Sequence, residues 1–482
     1  MVKQCVILRI LTFLLCLIAL TMAVPLILAA VRGEGDMVRA FGLTMGPVAL
    51  GALPVLILTR KQVIRFNASD GFLLVFLCWA AVCLLGAVPY HISGRLPRFS
   101  DAIFESASGF TTTGATVIAA PEDMPRSLLL WRAMTHWFGG MGIVVLTVAL
   151  LPLLGAGGVQ LIRAETTGPE KEKITPKITA AAKILWIFYI ALTVIESLLL
   201  AAGGMDWFEA VTHSCSTIAT GGFSVRNGGI AAYDSPWVEW VCMVFMILAG
   251  FNFTLFYRLF QGKYREVLDN SEAKAYGGII LVSAGLIALF LHASGEGPGQ
   301  SLRRAAFQAV SILTSTGFSA VDHTRWPSLA QAVIFFLMFV GGCSGSTAGG
   351  IKVIRHVVLF KQAGNEMKRL IYPKGVFNIR LNKRVGRKDV VYGVAAFVFV
   401  YLFVVFAAAL LVSTAGTDLF SSLNIALIAL GNIGLGLGKI GPDFVFSPLP
   451  GYIKWALSLV MIAGRLEIWT VLVFFSRDYW RR

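Results

Sequence analysis

The sequence predicts an all-α integral membrane protein, with two N-terminal spans followed by four span–pore helix–span repeats around a pseudo-fourfold central pore. Three observations carry this reading. Of 482 residues, 57% are hydrophobic and only 14% charged, and the mean hydropathy is +0.76; a soluble chain normally carries about a quarter charged residues. Apolar runs of the roughly 20 residues needed to cross a bilayer recur along the whole chain. Four Gly-containing segments repeat in register about 100 residues apart, the mark of an internal repeat. The units are a two-span pair over 1–66 and pore repeats over 67–165, 166–265, 266–375 (with a broken second span) and 376–482.

The first run, Cys5 to about Val31, is too long for a signal-peptide core and ends in no clean cleavage site, so it reads as a permanent span. Further spans are expected near 38–58, 71–90, 127–154, 181–203, 237–260, 276–294, 328–358, 389–415 and 452–476, ten in all. The net charge of +15 is explained by the positive-inside bias rather than by nucleic-acid binding. Arg60, Lys61, Arg65, Arg163, Lys171, Lys173, Lys177, Arg258, Lys263, Arg265 and Lys274 fall between spans on one side, as do the basic 361–388 segment and the tail residues Arg477, Arg481 and Arg482. The opposite side carries fewer positives, among them Arg95, Arg98, Arg303, Arg304 and Arg325. Both termini are therefore expected in the cytoplasm. Seven cysteines, all inside apolar runs, argue against a disulfide framework or a zinc site.

Segments 99–120, 205–226, 302–321 and 417–440 are too long for turns, too apolar for solvated loops and too short for spans. Each reads as a short helix followed by a Gly-containing strand, a re-entrant piece tolerated only where protein or a water-filled cavity satisfies its backbone. Aligned, they read SGFTTTG (108–114), CSTIATG (215–221), SILTSTG (311–317) and IALGNIG (428–434). A dehydrated cation needs a ring of oxygens, which backbone carbonyls supply, and glycine enters the positive-φ conformations that aim successive carbonyls at one axis. Short helices ending toward the pore add negative dipole potential. No ring of Asp or Glu accompanies the strands, which disfavours a divalent ion.

These segments, with Thr111–Thr116, the Trp137–Gly142 motif WFGGMG, the Gly341–Lys352 motif GGCSGSTAGGIK and the Gly464–Glu467 motif GRLE, resemble the bacterial Trk-type potassium uptake family, its TrkH and TrkG branch, within the Trk/Ktr/HKT superfamily. The resemblance covers essentially the full length. It implies low-affinity potassium uptake across the bacterial cytoplasmic membrane. Potassium, the transported ion rather than a bound cofactor, would sit at Thr112, Thr113, Gly114, Ala219, Thr220, Gly221, Ser315, Thr316, Gly317, Asn432, Ile433 and Gly434. In the superfamily a Ser in place of the first filter glycine goes with sodium selectivity, and Gly114 is intact. The fourth strand departs from the pattern, with Asn432 and Ile433 before its glycine. The resemblance also implies a homodimer in membrane lipid and a cytosolic nucleotide-binding regulatory subunit of TrkA type. The basic 361–388 segment suits that subunit and equally suits anionic lipid heads.

Gly341 to Gly350 contains five glycines in ten residues. Each costs a helix about 1 kcal/mol relative to alanine, so span 328–358 is expected to unwind there, unless the small residues merely form a packing seam. The family likeness implies an intramembrane loop obstructing the pore from the cytoplasmic side, with Gly345, Ser346, Thr347, Gly349, Gly350 and Lys352 as its gate residues. Arg465, a charge well inside the last span, marks a functional site by default. It is expected to face the pore and bind carbonyls of the loop; the alternative is a local pair with Glu467.

Other signals are weak. Gly436-x-Gly438-x-x-Gly441 lacks the strand a dinucleotide site needs, and Ile351 separates Gly350 from Lys352, unlike a P-loop. Asn67 is a sequon on the cytoplasmic side. His136, His213, Glu105 and Glu209 read as structural residues, and no His, Asp, Glu or Cys cluster suggests an enzyme. The competing transport mechanism is proton- or sodium-coupled potassium symport, which would need a titratable group on the ion path.

Overall fold

The computed structural model describes residues 2–59, 68–142, 178–382, 384–385 and 388–481. Among these, six helices are long and apolar enough to cross a membrane: Cys5–Arg32, Gly35–Thr59, Asp70–Ile92, Ile184–Ala202, Ser271–Ala293 and Asp389–Ser413. With no water in hydrocarbon, their backbone groups must bond within the segment, which favours the helix. Leu50 and Leu58 remain 79% exposed, an apolar outer face of the kind a membrane span presents.

The first two crossings form the N-terminal pair. The other four begin the repeats, and each is followed by a short helix: Phe99–Phe110, Trp207–Ile218, Pro298–Leu313 and Leu419–Gly431. Asp418 caps the last of these through the Ser421 amide, and Pro298 opens the third, both favourable at a helix start. The first three short helices pack against the second span of the preceding repeat, the first of them against that of repeat 4. Phe420 of the fourth meets Phe335 of the third repeat. The repeats therefore close into a ring.

The second spans correct one expectation. Only 328–358 is expected to break, yet breaks interrupt the others too. Pro236–Ala249 and Phe253–Phe260 meet at 92°, and Gly451–Arg465 and Ile468–Phe475 at 119°. Ser328–Leu337 is separated from Val353–Ile371 by an irregular loop, and Arg126–Gly140 ends at its own glycines. The physical reason is a glycine beneath each short helix. A Cβ on Gly139 would meet the Phe110 carbonyl, one on Gly250 the Thr314 side chain, and one on Gly464 the Leu430 carbonyl.

Helix Val353–Ile371 also runs eleven residues into the segment expected to be a basic loop from 361 onward. Beyond it, Arg380–Leu381 and Arg384–Val385 form a two-stranded antiparallel hairpin. Several expectations lie outside the described residues: the 143–154 part of the fourth span, Asn67, and the charges Arg60, Lys61, Arg65, Arg163, Lys171, Lys173, Lys177, Lys383, Arg387 and Arg482.

Candidate functional site

The four short helices end alike. The amides of Thr113, Gly221, Thr316 and Ile433 donate to the carbonyls of Ser108, Ser216, Ser311 and Ile428, each five residues back. This is a Schellman closure, whose turning residue lies in the left-handed region. That residue is Thr112, Thr220, Ser315 or Asn432, with φ of 54°, 55°, 55° and 52°. Asparagine and glycine enter this region readily, but threonine does not, and each such residue stores about 1–3 kcal/mol. Two residues later φ is positive again, at Gly114 (83°), Gly222 (80°), Gly317 (77°) and Gly434 (82°).

The register of the second strand is thereby corrected. Gly222, not Gly221, is the counterpart of Gly114, and the strand reads Thr220-Gly221-Gly222. Ala219 caps the helix before the turn, as Thr111 and Thr314 do. The sequence misleads because two glycines are adjacent there. The fourth strand, despite Asn432 and Ile433, follows the same backbone path as the others.

The strands close a ring. A Cβ on Gly114 would meet the carbonyl oxygen of Gly221; on Gly222, that of Thr316; on Gly317, that of Ile433; on Gly434, that of Thr113, at 2.7 Å. Every glycine thus lies against the carbonyl of the residue before the glycine of the next strand, and no side chain fits. Gly114, Gly222, Gly317 and Gly434 all line one open cavity on the side of the following loops.

Side chains brace this ring from behind. Glu105 accepts from Arg132 Nε at 2.7 Å, from the Val117 amide at 2.9 Å and from the Thr116 hydroxyl at 3.0 Å. Arg132 continues to the Ser224 carbonyl at 2.8 Å and lies 3.5 Å from the Phe223 ring centroid, tying repeat 1 to repeat 2. His136 stacks on Phe223 with centroids 3.9 Å apart, and it fills the space a side chain at Gly221 would need. His213 bonds the Glu209 carbonyl and the Ser224 hydroxyl, a structural arrangement. Glu209 pairs with Arg226 at 3.0 Å. Lys454 forms a buried pair with Asp101 at 2.6 Å, joining repeat 4 to the first short helix.

The 341–350 loop lies directly against the strands. The Gly349 amide donates to the Ser315 hydroxyl at 2.6 Å, and the Thr347 hydroxyl bonds the carbonyls of Ile218 and Ala249, both at 3.1 Å. The Cys343 amide donates to the Gly250 carbonyl at 2.9 Å, and Gly345 accepts from the Phe253 amide. A Cβ on Gly349 would meet the Gly431 carbonyl at 2.5 Å and the Asn432 Cβ at 2.9 Å. Lys352 is buried and bonds the Ala348 carbonyl within the loop. Ser346 bonds Cys343, and Gly350 packs against Gly341.

Arg465 reaches both sides of this layer. One terminal nitrogen donates to the Thr347 carbonyl at 2.5 Å, the other to the carbonyls of Gly139 and Gly140 at 2.6 and 2.9 Å. It thus connects the last span to the loop and to the break below repeat 1. Glu467, with φ of 56° at the bend, accepts from Arg355 at 2.8 Å, and Arg355 lies 3.7 Å over the Phe397 ring. Arg132 and Arg355 are absent from the candidates read from sequence. Both are charges inside apolar runs, the same signal that singles out Arg465.

Comparison with known proteins bears on this arrangement. The TrkH cation transport protein family model matches residues 44–276 and 295–482. The Trk system potassium uptake proteins TrkH of Halomonas elongata and of Escherichia coli K12 are each 38% identical, over 99% and 98% of both chains respectively. TrkG of E. coli K12 is 35% identical over 88% of both. The crystal structure of the potassium transporter TrkH from Vibrio parahaemolyticus superposes with a TM-score of 0.89 at 34% identity, covering 99% of this chain and 100% of that one.

Proposed function

The chain belongs to the TrkH family of cation transport proteins, transporters and not enzymes, and from that premise we propose that it carries out low-affinity potassium uptake. The four strands form its filter, in a multi-pass protein of the bacterial cytoplasmic membrane with both termini cytoplasmic. The observation that carries this reading is the ring of glycines, each lying against the next strand's carbonyl. With no room for a side chain, carbonyl oxygens are what an ion in the ring would meet. The coordinating residues are Thr112, Thr113 and Gly114; Thr220, Gly221 and Gly222; Ser315, Thr316 and Gly317; and Asn432, Ile433 and Gly434. The repeats they belong to are bounded at 67–165, 166–265, 266–375 and 376–482.

The 341–350 loop and Arg465 act as the gate. A guanidinium fixed beneath carbonyl strands sets an electrostatic barrier to a cation and holds the loop by its Thr347 carbonyl. The relatives are named as parts of a Trk system, which supports a partnership with other Trk components, here a cytosolic nucleotide-binding subunit of TrkA type; a homodimer in lipid is part of the same proposal. That subunit would dock on the basic surface following Lys361.

The test is potassium uptake into liposomes holding the purified protein. Uptake that follows an imposed potential without a proton or sodium gradient, and rises in Arg465→Ala, is the expected result. Uptake only under a proton or sodium gradient would replace the channel with a coupled symporter. Unchanged uptake in a folded Arg465→Ala protein would remove Arg465 from the gate.

A further inference from the structure

The gate loop is closed at its base by a neck. The Gly341 amide donates to the Ile351 carbonyl at 2.8 Å, and the Val353 amide to the Gly342 carbonyl at 3.2 Å. Helix Val353–Ile371 then starts with Lys352 at its cap position, whose side chain caps nothing and instead turns back to Ala348. The first amides of that helix therefore need an acceptor from elsewhere.

Glu272 supplies it. This carboxylate, 5% exposed, stands in the first turn of Ser271–Ala293, the first span of the same repeat. Its Oε1 accepts from the Ser344 amide at 2.7 Å and from the Ile354 amide at 3.2 Å. One oxygen thus grips the loop just inside the neck and the helix just outside it. A carboxylate at a helix N-terminus also meets the positive end of the dipole.

The turn carrying Glu272 is itself held from the cytoplasmic hairpin. Asn270 caps the helix through the amides of Glu272 and Ala273. Asn382, at the hairpin turn with φ of 46°, accepts from the Ser271 amide at 2.9 Å. Leu381 of the hairpin packs in one apolar cluster with Ile354 and Val358 of the helix leaving the gate, and Lys361 bonds the Arg380 carbonyl at 2.7 Å. A short path of contacts therefore runs from the Arg380, Leu381 and Asn382 arm of the hairpin to both ends of the neck.

We propose that Glu272 is the positioning residue that clamps the neck of the gate loop shut, and that the Arg380–Val385 hairpin is the lever that loads or releases this clamp from the cytoplasmic side. The proposal rests on the reading of 341–350 as a gate. Glu272 touches no ion; it acts through the loop.

The test uses Cys343, buried in the loop, as a reporter in a full-length protein whose Cys5, Cys16, Cys78, Cys83, Cys215 and Cys242 are replaced by alanine. The rate of Cys343 modification by a small methanethiosulfonate and the potassium uptake are read together in liposomes. Glu272→Ala leaves two buried amides without an acceptor and is expected to raise both by about tenfold. Glu272→Gln keeps an acceptor oxygen and should fall between it and the parent. Asn382→Gly preserves the turn and the backbone bond from residue 382 to the Ser271 hydroxyl, loses only the side-chain acceptor of the Ser271 amide, and should raise both rates severalfold. Potassium-over-sodium preference stays unchanged in all three, because the filter is untouched. Parental rates in Glu272→Ala and Asn382→Gly, with Arg465→Ala raising both, would overturn the clamp and leave the gate standing. Faster labelling in Glu272→Ala with parental uptake in every variant would instead keep the clamp and overturn the gate. If Glu272→Ala does not fold, Asn382→Gly alone decides by the same two readouts.

Discussion

The Gly349 amide donates to the Ser315 hydroxyl at 2.6 Å, so the 341–350 loop and the third Gly-containing strand share a hydrogen bond. Ser315 is also the residue held in the left-handed region at the turn into its strand. Loop position and strand conformation are therefore linked, and whatever frees one biases the other.

Ser315→Ala should release part of that link. One hydrogen bond contributes about 1 kcal/mol net, or about a fivefold change in an open–closed ratio. Basal uptake should rise by about that factor, while Ser315→Thr, which keeps the hydroxyl in a conformation threonine adopts at 112 and 220, stays near the parent. Equal uptake in Ser315→Ala and parent would separate loop from strand.

The corrected second strand yields a contrast between adjacent glycines. A side chain at Gly222 meets the Thr316 carbonyl, which cannot move aside, whereas one at Gly221 meets the His136 ring. Both Gly221→Ala and Gly222→Ala should impair uptake. Adding His136→Ala should restore uptake to Gly221→Ala and do nothing for Gly222→Ala. Rescue of Gly222→Ala instead would return the register to the one read from sequence.

Much of the fold was legible because periodicity and hydropathy report burial in lipid directly. The two N-terminal spans, the first span of each repeat and the four short helices appear where the apolar runs put them. The adjacent pair Gly221-Gly222 was not resolvable, because an alignment of single residues cannot say which glycine carries positive φ; the Schellman bond from Gly221 to Ser216 does. The breaks at Gly140, Gly250 and Gly464 were hidden for a related reason. One or two glycines do not unwind a helix by propensity alone; here the close approach of a neighbouring segment, by backbone or by side chain, excludes a side chain. Arg465 was legible as a charge well inside an apolar span, but its reach to Gly139 and Gly140 in repeat 1 depends on ring closure, which no local pattern encodes.

The Glu105–Arg132 pair should matter more for stability than for ion passage. Its partners are almost fully buried, at 0% and 4% side-chain exposure, and removing one leaves the other charge uncompensated. That loss costs about 3–5 kcal/mol. Arg132→Ala and Glu105→Ala should each lower the thermal unfolding midpoint in detergent markedly, with the double variant less than additive because the two residues are in contact. Additive losses would mean that the contacts to Ser224 and Val117, and not the ion pair, carry the effect.

The central claim is that four strands in register form one cation filter, and Gly114→Ser tests it most directly. Its side chain would enter at a φ of 83° against the Gly221 carbonyl, disturbing one quarter of the ring and nothing outside it. Liposomes containing parent or variant would be loaded with sodium, placed in potassium, and driven by an imposed potential, with the potassium-to-sodium permeability ratio as the readout. The account predicts a parent that prefers potassium and a folded variant that loses most of that preference. An unchanged ratio in the variant would contradict it and place the ion path elsewhere.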